Sequence, residues 1–168
     1  MKVLVIGGNR FLGIELVARL LAHGDQVTLL NRGTLSDPFG DRVRRLTADR
    51  GEEAFDRTIA RAETTWDAVV DFALFTGPEA ERSARVLRDR VGHYVMISTG
   101  QVYLVRDVVP SPAREADYHG PLMAEPTQPA DRDQFRYGFD KREAEEVIAK
   151  GFHATRLRLP MVHGGRDH

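Results

Sequence analysis

Lys2-Val3-Leu4-Val5-Ile6 runs straight into Gly7-Gly8-Asn9-Arg10-Phe11-Leu12-Gly13, and a helical stripe of Leu12, Leu16 and Leu20, flanked by Val17 and Leu21, follows. A short β-branched run, a glycine-bearing turn and a 3.6-residue period, in that order, predict a strand, a tight turn and the start of an amphipathic helix. Such a junction can hold a phosphate. Glycine permits positive φ and lets backbone N–H groups approach the anion, and the helix N-terminus adds a partial positive charge.

Working outward, runs rich in Val, Ile and Leu recur at 2–7, 26–31, 42–47, 67–72, 93–98 and 154–159. Longer amphipathic stretches at 11–23, 52–62, 78–90 and 137–150 separate them. Short apolar strands alternating with helices predict an α/β protein, a doubly wound, three-layer parallel sheet filling one domain over 1–168. Residues 104–136 break this rhythm, with Pro110, Pro112, Pro121, Pro126 and Pro129 and no period. A long excursion of that sort predicts a substrate-side loop. Trp66, Phe55 and Phe72 are expected in the core. Lys141, Arg142, Glu143, Glu145 and Glu146 are expected to form a solvated helix face.

The 168 residues are 42% hydrophobic, with 24 basic against 25 acidic side chains and no cysteine. A net charge of −1 provides no field to hold a polyanion, so nucleic acid is disfavoured as a partner. Without cysteine, thiol nucleophiles, iron–sulfur clusters and cysteine zinc sites are excluded. Arg10 interrupts the N-terminal apolar run before a signal-peptide core forms, and no stretch reaches membrane-spanning length. A cytoplasmic protein is expected. His163 and His168 have no histidine or carboxylate at a ligand spacing, so no metal site is expected.

The spacing from Gly7 to Gly13 matches a G-x-x-G-x-x-G dinucleotide fingerprint, with Arg10 where a middle glycine is usual. Gly7, Asn9, Arg10, Phe11, Leu12 and Gly13 are therefore candidate cofactor residues. After the second strand such folds carry an Asp or Glu for the ribose hydroxyls, but here Leu30 is followed by Asn31-Arg32-Gly33. A carboxylate would repel a ribose 2′-phosphate, whereas the forked Arg32 guanidinium pairs with one, and Arg10 can reach the same region. The expected cofactor is NADP(H), with NAD(H) as the alternative. The plain reading makes both arginines ordinary surface charges.

Tyr137 and Lys141 stand four residues apart, on one helix face that continues as Ala144 and Ile148. The apolar continuation predicts that this edge points at the sheet, away from bulk water. A partly desolvated ammonium beside a phenol favours the phenolate, which is the chemistry of a general acid/base. The fifth strand ends in Ser98-Thr99, placing hydroxyls at the strand C-termini where open parallel sheets bind ligands. Alternatively, those hydroxyls simply satisfy a turn.

With the glycine turn, strand-five hydroxyls and Tyr–Lys helix in this order, the chain resembles the extended short-chain dehydrogenase/reductase superfamily, in its NAD(P)-dependent epimerase/dehydratase branch. Tyr137 to Glu145 is similar to the family's Y-G-x-x-K-x-x-A-E, and Arg158 to Gly164 to its R-P-x-x-V-Y-G ending. The resemblance implies Tyr137 as acid/base and Lys141 as the residue holding the nicotinamide ribose and lowering the tyrosine pKa. It makes Thr99 the hydroxyl that bonds the substrate oxygen, with Ser98 as the neighbouring candidate. It also implies that Asp49 contacts the adenine and Ala73 lines the cofactor cleft. The glycine turn itself is most similar to the G-G-T-R-F-[IL]-G variant of an atypical branch that includes chloroplast stem-loop RNA-binding proteins. Family members continue past the sixth strand into a smaller substrate-binding region, whereas this sequence stops at His168. That implies either a shortened chain or a cofactor-binding core completed by a partner.

The leading expectation is an oxidoreductase that exchanges hydride with a hydroxyl- or keto-bearing carbon of a small molecule, by family analogy a nucleotide sugar. The alternative is a non-catalytic Rossmann protein that binds dinucleotide or RNA. The family also implies a homodimer with a four-helix interface.

Overall fold

The computed structural model describes residues 1–164. Alternate side chains of β1 (Lys2–Ile6) enter two separate cores, which is the period of two that a strand imposes. Leu4 and Ile6 join one cluster; Val3 and Val5 join the other. The first cluster is completed by Phe55 and Ile59 of α2 (Glu53–Arg61), Leu87 of α3 (Gly77–Leu87) and Ile148 of α5 (Pro129–Gly151). The second contains Val17 of α1 (Phe11–Ala22) with Phe39 and Val43. Three layers result.

The remaining strands are β2 (Gln26–Asn31), β3 (Arg44–Thr47), β4 (Trp66–Asp71), β5 (Val91–Thr99) and β6 (Ala154–Leu159). All pair in parallel, in the order β3-β2-β1-β4-β5-β6. The chain reverses direction along the sheet beside β1, the switch point at which such folds bind ligands. Expected and observed strands agree to within two residues at either end. Trp66 and Phe55 are buried as expected, whereas Phe72 is only half-buried, because it follows β4 at the open edge of the sheet.

The proline-rich excursion is more ordered than its sequence predicts. A short helix, α4 (Gln101–Leu104), follows β5, and Arg106 and Leu122 form an antiparallel bridge. A single 3-10 turn spans Glu115–Tyr118. Helix α5 then starts at Pro129 instead of Tyr137. Proline suits a first helical turn, where its missing N–H has no helical acceptor to lose. The polar run 130–136 has no apolar stripe to reveal the extra turns. They are held instead by Arg132, which donates to Pro126 O at 3.3 Å and Thr127 O at 3.0 Å, and by Phe135 stacked on Phe139 with centroids 5.9 Å apart.

The expected solvated face of α5 is also corrected. Lys141 and Glu145 are buried, and Arg142 is half-buried. Only Glu143 and Glu146 of that run are exposed. The reason is that α5 is wedged between α3 on one side and α4 with the excursion on the other, so charged positions meet protein on more than one face.

Candidate active site

The glycine turn is built by two constraints. Gly7 donates its N–H to Leu30 O at 2.9 Å and takes φ +77°, which favours glycine. A Cβ on Gly13 would lie 2.7 Å from the backbone of Gly8, so α1 can close onto the turn only without a side chain there. Arg10 needs no glycine. It is the N-cap residue in an extended conformation, φ −138° and ψ 155°, open to any L-residue. Its carbonyl accepts from Gly13 N at 2.8 Å and Ile14 N at 3.3 Å. The left-handed position falls on Phe11, φ +34°, at a cost of about 1–3 kcal/mol. Among the described residues the amides of Phe11 and Leu12 have no acceptor, as expected for the first turn of a helix. Two orphan donors at a helix N-terminus form an anion cradle.

Beside this turn lies a cavity of about 490 Å³. Gly7, Asn9, Arg10, Asn31, Arg32, Asp49 and Ala73 all line it, so residues as far apart in sequence as Gly7 and Ala73 meet in one groove. Phe11, Leu12 and Gly13 shape the turn without lining the groove. Arg32 Nη1 stands 3.9 Å from Asp49 Oδ2, both side chains exposed. Asn31 Oδ1 accepts from Gly33 N at 2.8 Å, and Asp49 Oδ1 accepts from Gly51 N at 2.9 Å, which fixes both loops. Arg10 has no ion-pair partner among the described residues.

Sequence reasoning missed Arg50, Phe75 and Glu79 on the same wall. Arg50 is buried; it donates to Ser83 Oγ at 2.8 Å and pairs with the fully buried Asp71, which also accepts from the Tyr94 phenol. Asp71 Oδ1 accepts from Ala73 N at 3.0 Å, so this network sets the backbone that borders the groove. The neighbouring Asp49-Arg50 pair was the available signal, but a lone arginine in a loop has no period to mark it as buried.

Lys141 is 2% exposed. Its Nζ donates to Leu74 O at 2.6 Å and Ile97 O at 3.0 Å, tying α5 to the ends of β4 and β5. Burial lowers the ammonium to about 8, against the opposing pull of the Asp71 and Glu79 carboxylates. The Tyr137 ring lies 6.0 Å from Lys141 Nζ. Contrary to the expectation that the whole edge faces the sheet, Tyr137 is 39% exposed. It sits toward the solvent end of the pair, and the lysine alone turns inward.

The two strand-five hydroxyls separate. Ser98 is buried and donates to Glu145 Oε1 at 2.5 Å. Thr99 is half-buried, and its Oγ1 accepts from Gln101 N at 3.2 Å, which leaves its own O–H available. Glu145 is held by a two-pronged bond from Arg158, with Nη2 to Oε2 at 2.7 Å and Nε to Oε1 at 3.1 Å. Arg158 also stacks on Tyr118, its guanidinium carbon 4.0 Å from the ring centroid, and Arg142 covers the same ring at 3.7 Å. This sandwich fastens the excursion to α5. Among the described residues no cluster of three or more His, Asp or Glu side chains is placed to hold a metal ion; His168 lies outside the described residues.

The parallel order and the glycine turn at the switch point define a Rossmann fold. No protein-family model matches the chain. It is 28% identical over 179 aligned positions to the chloroplast stem-loop binding protein of 41 kDa b of Arabidopsis thaliana, covering 97% of this chain and 42% of that protein. Among solved structures, the Bordetella bronchiseptica enzyme WbmG, in complex with NAD and UDP, superposes with a TM-score of 0.70 at 15% identity, over 94% of this chain and 52% of that one. The UDP-Glc/GlcNAc 4-epimerase of Campylobacter jejuni gives 0.71 at 16%, over 94% and 52%. The UDP-glucose 4-epimerase of Thermotoga maritima, with UDP-glucose, gives 0.70 at 20%, over 100% and 58%. These likenesses establish the fold and bear out, at that level, the resemblance to extended short-chain dehydrogenases/reductases. The chain spans about half the length of these structures and less than half of the curated relative. Among the described residues no helix is long and apolar enough to cross a membrane.

Proposed function

We propose that this chain binds a nicotinamide dinucleotide along the C-terminal edge of its sheet and serves hydride exchange with a hydroxyl- or keto-bearing carbon of a small molecule, a nucleotide sugar. The observation that carries this reading is the groove beside the glycine turn, which Gly7, Asn9, Arg10, Arg32 and Asp49 line together. In this reading Gly7, Asn9, Arg10, Phe11, Leu12 and Gly13 hold the pyrophosphate, Asn31 and Arg32 the adenosine ribose, Asp49 the adenine, and Ala73 the floor. A bound nicotinamide supplies the hydride donor or acceptor. Tyr137 moves the proton, Thr99 orients the substrate oxygen through its free O–H, and Lys141 tunes the phenol. Ser98, committed to Glu145, acts as a support for Thr99. The excursion forms the substrate side, and α3 and α5, packed side by side, pair with a second copy in a homodimer.

NADP(H) is the preferred cofactor because no carboxylate follows Leu30 and the Arg10 and Arg32 guanidinium groups border the groove. Calorimetric titration with NADPH and NADH tests this. Arg32→Ser is expected to weaken NADPH about tenfold, roughly 1.4 kcal/mol, and to leave NADH unchanged. Equal affinity of the unaltered chain for both ligands would overturn the preference, and loss of all binding would overturn the cofactor reading.

A second reading, stem-loop RNA binding, is favoured by one observation, the 28% identity, over an alignment covering 97% of this chain, to a protein named for that property. Its test is a gel shift with a stem-loop over a salt series, where steep salt dependence is the expected signature.

A further inference from the structure

We infer that the groove as it stands takes the adenine-nucleotide half of a cofactor, and that Phe75 is a specificity-determining cover that closes it off from Lys141 until a full dinucleotide displaces the ring. The inference rests on the dinucleotide reading above and deepens it.

Phe75 is the residue that meets both places. Its ring lines the groove beside Ala73 and Glu79, and its centroid lies 4.6 Å from Lys141 Nζ, an attractive cation–π distance. Thr99, Tyr137 and Lys141 do not line the groove. The ammonium spends two N–H groups on Leu74 O and Ile97 O, and the aromatic face rests against it. A ribose hydroxyl reaching Lys141 from the groove has to enter the space that this ring holds.

The backbone beneath the ring is fixed, while the ring itself is partly exposed. Glu79 Oε2 accepts from Phe75 N at 2.8 Å and from Thr76 N at 3.0 Å, and Thr76 Oγ1 caps Glu79 N, so the loop is locked onto the first turn of α3. Phe75 itself is 45% exposed, so solvent space lies beside the ring for it to swing into. A rotation about χ1 uncovers Lys141 without moving the loop. An adenine mononucleotide needs no such rotation. A dinucleotide does, so its apparent affinity falls by the fraction of molecules in which the ring is swung away.

The test titrates the full chain and Phe75→Ala with two ligand pairs: NADPH against adenosine 2′,5′-bisphosphate, and NADH against AMP. The alanine variant is expected to raise the ratio of dinucleotide to mononucleotide affinity at least about fivefold. An unchanged ratio overturns the cover while the dinucleotide reading stands, and a lower ratio makes Phe75 a stacking platform and overturns it equally. Absence of binding by all four ligands overturns both readings. A second measurement is independent of affinity. The chain's lysines are Lys2, Lys141 and Lys150, so lysine-selective 13C labelling resolves the Lys141 ε-methylene. An upfield ring-current shift is expected in the free protein, persisting with the bisphosphate and lost with NADPH and in Phe75→Ala. A Lys141 signal without that shift in the free protein overturns the inference.

Discussion

Ser98 Oγ donates to Glu145 Oε1 at 2.5 Å, with both groups buried and Arg158 paired with the same carboxylate. The bond separates two adjacent hydroxyls that look equivalent in sequence. Ser98→Ala removes a donor from a buried anion and is expected to cost about 1–3 kcal/mol. Thr99→Ala, at a half-buried turn position, is expected to stay within about 0.5 kcal/mol. Urea denaturation midpoints check both, and equal midpoints would mean that Glu145 does not depend on the serine.

Removing Arg158 leaves the Glu145 carboxylate buried without its counter-charge. Arg158→Met is therefore expected to destabilise by about 3–5 kcal/mol. Adding Glu145→Leu to that variant should recover a large part of the loss, since the pair itself is worth less than the penalty of breaking it. A double-mutant cycle in urea measures the coupling, and simple additivity would argue against the pair.

Lys141 gives the fold a pH dependence with a defined sign. Its folded value, about 8, lies below its ordinary value of 10.5, so between those pH values the unfolded chain binds more protons. Stability from this group is expected to rise with pH across that window, by about 3 kcal/mol in all, and to be constant below it. The Lys141→Met variant should lack the rise, which unfolding titrations from pH 7 to 10.5 on the two proteins will detect by difference.

Gly138 sits where α5 crosses α4. A Cβ there would lie 2.6 Å from Gln101 O and 2.8 Å from Val105 Cγ1. Glycine to alanine in a helix interior gains about 1 kcal/mol of propensity, but the overpacking costs about 1–3 kcal/mol. Gly138→Ala is expected to lower the thermal midpoint, and a rise would show that α4 moves aside freely.

The glycine turn was legible because its chemistry is local: Gly7, Gly13 and the stripe that follows them lie within one strand–turn–helix unit. Lys141 was legible through its spacing from Tyr137, which one helix face enforces. The burial of Glu145 was hidden, since a helical period marks apolar stripes and Glu145 reads as one charge among several. The early start of α5 was hidden for the same reason, because its first turns are polar and held by Arg132.

By itself the sequence determined the α/β class, the six strands within two residues, and seven of the residues that line the groove at one sheet edge, Gly7, Asn9, Arg10, Asn31, Arg32, Asp49 and Ala73. Those follow from period, turn residues and the chirality of parallel crossovers, all of which act over short stretches or by general rule. Only the tertiary structure decided that Ser98 faces Glu145 while Thr99 keeps a free hydroxyl, that Arg50 is spent on Asp71, and that Phe75 covers Lys141. These are contacts between segments far apart in the chain, fixed by how helices and loops pack over the sheet, and no local pattern carries them.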